Sequence, residues 1–108
     1  MGTMQNQKPE LENGGMGMAE NVVVTVVGKN RVGVLGEVTT AIAELNGNIM
    51  DISQKMIQDY FNLLMIVEIS EIRGDFAEFK NRLERLGEEK GYRLTVQHER
   101  VFQYMHRI

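Results

Sequence analysis

From Val22 to Val27 every side chain is β-branched, the run is too short for a free-standing helix, and Gly28 closes it. That density predicts a strand buried on both faces. Residues 28–33, with a glycine at each end, then turn the chain. From there Val34, Leu35, Val38, Ala41, Ile42 and Leu45 follow one helical stripe, with Glu37, Thr40 and Glu44 opposite. Asn46 and Gly47 stop the helix, and the glycine is expected to take the left-handed conformation common just past helix ends. Asn48 to Ile57 predicts a second strand whose parity slips between Ile49 and Ile52, which a bulge or a late start of pairing would explain. After only Gln58 and Asp59 comes Tyr60 to Ser70, with Phe61, Leu63, Met65, Val67 and Ile69 on one face. Two runs this close must pair as a hairpin. The other face, with Tyr60, Asn62, Leu64, Ile66 and Glu68, is partly apolar, which predicts a partner subunit over it. Asp75 and Glu78 have capping-box spacing, and Phe76, Phe79, Leu83 and Leu86 carry a second helix to Gly91. Its pairs Glu78 and Arg82, Lys80 and Glu84, and Arg85 and Glu89 read as solvated surface. Tyr92 to Glu99 alternates like a half-exposed strand, and Val101 to Ile108 predicts one terminal helical turn.

The order strand, helix, strand, strand, helix, strand belongs to the α+β class. It predicts a ferredoxin-like βαββαβ fold: a four-stranded antiparallel sheet with both helices on one face, here with a short C-terminal helical turn. Composition narrows the picture. With 108 residues, 43% of them hydrophobic, there is length for one core. A net charge of -3 and the absence of any basic run longer than two residues argue against a protein held to nucleic acid or anionic lipid by charge. Without cysteine there is no disulfide framework, thiol nucleophile or Cys-based zinc site, which fits a reducing compartment. No segment is apolar enough for long enough to span a membrane, so a cytoplasmic protein is expected. Met1 to Glu20 carries the only proline, Pro9, and no periodic apolar pattern, so it reads as a flexible leader before a domain at 21–108.

The chemically suggestive place is the start of the first helix. Its unpaired N–H groups, just after Gly33, form a weak site for a carboxylate or phosphate. Other trades of this fold fit less well. RNA recognition needs aromatics exposed together on the central strands, whereas Tyr60 and Phe61 point to opposite faces and Val22 to Val27 has none. His98 and His106 have no third ligand at a helpful spacing, so no metal site is expected. An acylphosphatase-like hydrolase of small acyl phosphates is the enzymatic alternative, because such enzymes resemble a Gly-rich first loop with an Arg, plus an Asn on the second strand. Arg31 with Asn48 or Asn62 are the candidates. In that family, however, the Arg comes later, at the helix start, where this chain has Val34 and Leu35.

The stretch from Gly28 to Leu35, followed by Asn48 and Ile49 after the first helix, resembles the ACT-domain signature. Asp51 to Phe61 and the closing Met105 to Ile108 resemble a family of small stand-alone ACT proteins, and the chain is also similar to bacterial regulators of the glycine cleavage system. The resemblance covers Val22 to Ile108. It implies a non-enzymatic regulatory domain without a cofactor, a homodimer that binds a small molecule, often an amino acid, between the first loop and helix of one subunit and the second strand of its neighbour. An unidentified protein would receive the signal. Residue by residue, Gly33, Val34 and Leu35 would offer N–H groups to a carboxylate, Asn30 would face the ammonium, and Asn48, with Ile49 beside it, would reach the ligand across or within the subunit. Asn30 stands where many members have Asp, and Val32 where many have Pro. Losing the Asp charge removes a charge-assisted partner for an ammonium, which leaves another small anion open.

Plainer roles stand beside these. Gly33 would serve the turn alone, Asn48 would help end the helix, and Asp59 and Tyr60 would mark a hairpin tip. Asp51, Ser53 and Gln54 either line a pocket or lie on an exposed strand face, and Lys29 and Arg31 read as solvated loop charges.

Overall fold

The computed structural model describes residues 20–101. The leader expected up to Glu20 lies outside them but for Glu20 itself, as does the expected terminal turn but for Val101; residues 99–101 are helical. In chain order the elements are β1 (Asn21–Lys29), α1 (Val34–Glu44), β2 (Asn48–Ile57), β3 (Tyr60–Glu68), α2 (Phe76–Lys90) and β4 (Arg93–His98). The four strands form one antiparallel sheet in the order β2-β3-β1-β4. This is the expected ferredoxin-like βαββαβ architecture, and the valine-rich β1 takes an interior place.

The core lies between the sheet and the helices. Val22, Val24 and Val26 of β1 meet Phe61, Leu63, Met65 and Val67 of β3, under Val38 and Ile42 of α1 and Phe79 and Leu83 of α2. β1 is sealed on this side along its length. Its other face is buried only at Val23, while Thr25 is half-buried and Val27 is exposed, so the expectation of two buried faces holds only near its start. The hairpin forms with the predicted two-residue connection, Gln58 taking a φ of 55°. The parity slip is real as well: the register between β2 and β3 shifts between Ile49 and Asp51, leaving Met50 out of step.

Two local expectations change. At the end of α1 the left-handed residue is Asn46, with φ of 67°, and its side-chain amide donates to the Glu71 carbonyl at 2.7 Å. Gly47 is required for another reason. A Cβ there would sit 2.8 Å from Ile42 Cγ2 and 3.0 Å from Val67 Cγ1, so the glycine lets the chain pass against the core. In α2 the capping box closes as predicted, Glu78 N–H donating to Asp75 at 2.9 Å and Asp75 N–H to Glu78 at 3.1 Å. The Lys80 and Glu84 pair is more than solvated surface. The two side chains meet at 2.7 Å and both reach β4, where Lys80 Nζ donates to the Val96 carbonyl at 3.0 Å and the Val96 N–H donates to Glu84 at 3.1 Å. A wet-side ion pair thus satisfies the outer edge of the sheet.

Candidate functional site

The first loop and the start of α1 overlook a hollow of about 190 Å³, lined by Asn30, Arg31, Gly33, Val34, Leu35, Gln54, Phe61 and Leu63. Its floor is apolar because Phe61 and Leu63 face the helix side of β3. Gln54 joins them because β2 pairs with β3 so that Gln54 stands opposite Leu63. At the rim Gly33 is the N-cap of α1, with φ of 96° and no side-chain cap. The first N–H groups of the helix are therefore left for a ligand or water, at the positive end of the helix dipole. A Cβ on Gly33 would meet nothing closer than Glu37 Oε2 at 3.9 Å, so the space over it is open. Asn30 is fixed from below, its N–H donating to the Asp59 carbonyl in the hairpin turn at 2.8 Å.

Arg31 is exposed, as expected of a loop charge, but it has partners. Its guanidinium makes two hydrogen bonds to the Glu37 carboxylate, at 3.0 and 3.2 Å, and reaches the Lys90 carbonyl at the end of α2 at 3.4 Å. It also lies 5.6 Å from the centre of the Tyr92 ring. Tyr92 in turn donates its hydroxyl to Glu37 at 3.3 Å. The hydrogen bond from Arg31 holds the Glu37 carboxyl below its usual range, and the same bond raises the pKa of Arg31. The Tyr92 phenol is pushed up to about 12, first by burial and then by the charge and hydrogen bond of Glu37. The loop is thus tied to both helix α1 and the end of α2, and the positive charge beside the hollow is matched.

Of the six residues implied by resemblance, Asn30, Gly33, Val34 and Leu35 come together here. Asn48 and Ile49 do not. They begin β2 at the opposite end of the sheet, where Asn48 donates to Glu68 at 3.2 Å and Ile49 pairs with Val67 against the core. Along a strand of this length the separation is roughly 30 Å. The hydrolase alternative finds its residues in three places: Arg31 bound to Glu37, Asn48 at the far end, and Asn62 on the sheet face away from the helices. His98 is bonded to Glu20 at 2.8 Å and its ring lies 5.0 Å from that of Phe76. Sequence reasoning missed Glu37 and Tyr92 as partners of the loop, and it left Gln54 undecided. A two-residue hairpin turn puts Gln54 opposite Leu63, so the side of the sheet it faces was readable. A larger hollow, about 410 Å³, separates the end of α1 from the start of α2. There Arg73 is occupied with main-chain carbonyls of Glu44 and Leu45, at 3.1 and 3.0 Å. Among the described residues no helix is long and apolar enough to cross a membrane.

Comparison with known proteins agrees with this geometry. A family model described as ACT domain matches residues 20–97. A UPF0237 protein of Methanococcus maripaludis is 49% identical over 89 residues, covering 82% of this chain and 99% of its own. Among solved structures, an ACT domain protein from Streptococcus pneumoniae is 34% identical with a TM-score of 0.69, covering 79% of this chain and 96% of its own. A chain named as a glycine cleavage system transcriptional repressor shares the fold at 24% identity and a TM-score of 0.63, over 74% of this chain and 46% of its own.

Proposed function

The chain belongs to the ACT-domain family, alongside the UPF0237 proteins, and from that premise we propose that it is a non-enzymatic regulatory domain that binds a small amino acid at the start of α1. The observation that carries the reading is the uncapped helix terminus at Gly33 facing a hollow with an apolar floor. Charge narrows the ligand. Arg31 is already neutralised by Glu37, so the remaining attraction for an anion is the helix terminus, a partial charge of about half a unit. That suits one carboxylate better than a dianionic phosphate. Asn30 and Gln54 supply neutral amides for the ligand's other polar group, and Leu35, Phe61 and Leu63 supply contacts for a small side chain.

In this reading the working unit is a homodimer acting in the cytoplasm, and a separate protein receives its signal. Asn48 and Ile49 begin β2 at the far end of the sheet, so they reach a ligand at the first loop only from a second copy lying antiparallel alongside. A thermal-shift screen of the purified protein over amino acids, inorganic phosphate and small carboxylates tests the proposal. A ligand that binds only the folded state, at a hundredfold excess over its Kd, adds about 2.7 kcal/mol, which is readily seen. A shift with one or a few neutral amino acids is the expected result. A protein stabilised by phosphate alone, or by none of these compounds at millimolar concentration, overturns it.

A further inference from the structure

The sheet face away from the helices is not evenly exposed. On β1 its residues run from Val27, 40% exposed, through half-buried Thr25 to Val23, only 2% exposed. On the paired β3 they run from Tyr60, 47% exposed, to half-buried Asn62, Leu64 and Ile66. On β4 they run from exposed Arg93 to half-buried Thr95 and Gln97. β2 shows no such change, since Asp51, Ser53 and Lys55 are all exposed. Cover therefore rises toward the end of the sheet farthest from the first loop, over β1, β3 and β4 only.

Val23 sharpens this. Its side chain lies outside the core cluster, which takes Val22, Val24 and Val26 on the helix side. Its cross-strand neighbours Ile66 and Gln97 are themselves only half-buried. Neighbours within a sheet shield a side chain from the flanks, and closing it to 2% takes a second layer above it. Neither α1 nor α2 is that layer, because both pack on the opposite face.

The chain's own end stands at the right place. β4 ends at His98, and residues 99–101 are helical, directly at the covered end of the face. Glu99 accepts a hydrogen bond from the Asn21 side-chain amide at 3.4 Å, which ties the start of this segment to β1. Seven residues follow Val101, and at helical spacing Phe102, Met105 and Ile108 fall on one side, with Gln103, His106 and Arg107 opposite. Seven helical residues at about 1.5 Å each add about 10 Å, which is two spacings between strands about 4.8 Å apart. Two spacings lead from β4 over β1 to β3 and stop short of β2, the same extent as the cover.

We propose that residues 102–108 continue this helix across the open face of the sheet and lay Phe102 and Met105 over Val23 and Ile66. The apolar strip that suggested a partner subunit is thereby closed from within the chain, and lifting the C-terminal segment bares it to a second copy. The inference is independent of the ligand site at the first loop.

The protein has no cysteine, so Gln103→Cys carries a single nitroxide label on the polar side of the segment. The label is expected to erase the amide resonances of Val23 and Ile66, while those of Lys29 and Lys55, toward the loop end of the sheet, persist. Adding Met105→Asp is expected to restore the two lost resonances. A chain ending at Val101 is expected to bind more of a hydrophobic dye than the full chain, with circular dichroism establishing that it is folded. Resonances of Val23 and Ile66 that survive the label, or a shortened chain with unchanged dye binding, overturn the proposal. Erasure that passes to wild-type chains mixed with labelled ones places another copy's end on the face and overturns it as well. So does a chain starting at Met18 that gains dye binding where the chain ending at Val101 does not, which gives the face to the leader.

Discussion

At Gly33, φ of 96° and the open space above the residue together separate two roles. Alanine meets no clash there, so its structural cost is backbone strain of about 1 kcal/mol. Gly33 nonetheless lines the hollow, so in the proposed site its methyl group would hinder a carboxylate approaching the N–H groups of Val34 and Leu35. Gly33→Ala is expected to lower stability slightly in a urea melt and to abolish binding of a ligand found in the screen. Calorimetry at a temperature where the variant is fully folded reads the second effect, and unchanged affinity there would move the site elsewhere. Tyr92 offers an optical readout of the same loop. Its phenol is held neutral up to about 12, so its contribution to stability is complete below the ordinary value of 10.0 and is lost as pH rises toward 12. Absorbance at alkaline pH is expected to resolve this late titration. Glu37→Gln removes a negative charge beside the ring, so the titration is expected to move down, though burial keeps it above the ordinary value. Glu37 itself has the opposite sign: its pKa is lowered from 4.5, so its contribution is present above that pH and is lost as pH falls through the lowered value.

Among the elements, α2 and β4 are joined by a device that periodicity does not reveal. Lys80 and Glu84 are a helical i,i+4 pair, but the ends of both side chains go to the main chain of Val96. In Glu84→Ala the outward Val96 N–H loses its acceptor and faces water. Hydrogen exchange at that single amide is expected to accelerate, while core amides such as that of Met65 keep their protection. An unchanged rate at Val96 would mean the carboxylate does not guard the edge. The capping box of α2 belongs to the same scale but was readable in advance, because Asp75 and Glu78 lie three residues apart and need nothing beyond their own turn. Similarly, two residues between β2 and β3 are enough to set the hairpin register, and with it the side of the sheet on which Gln54 stands.

For the whole molecule, the proposed homodimer, in which Asn48 reaches the first-loop hollow only from the second chain, would couple ligand binding to association. If the ligand touches both copies, it binds the dimer more tightly than the monomer, and by linkage it must tighten the dimer by the same factor. Sedimentation of the wild-type chain near its dimer Kd, with and without a stabilising amino acid, is expected to show a larger dimer fraction when the ligand is present. An association constant that ignores a saturating ligand would confine the site to one chain and leave Asn48 outside it.

The sequence by itself determined the order of elements, the hairpin, the parity slip near Met50 and the capped start of α2. Each of these depends on side-chain periods of two or 3.6 residues, or on groups within one turn of each other. Tertiary structure decided the rest, since the partners lie far apart in the chain. Gly47 is dictated by Ile42 of α1 together with Val67 and Phe79, which crowd it from β3 and α2, and not by its own backbone angle. Arg31 is held by the end of α2 and by Tyr92, some sixty residues away, so its local surroundings gave it only the look of a loop charge. The separation of Asn48 from the first loop follows from chain direction. α1 runs down the sheet and β2 starts where it ends, so residues adjacent in a family signature stand at opposite ends of one molecule.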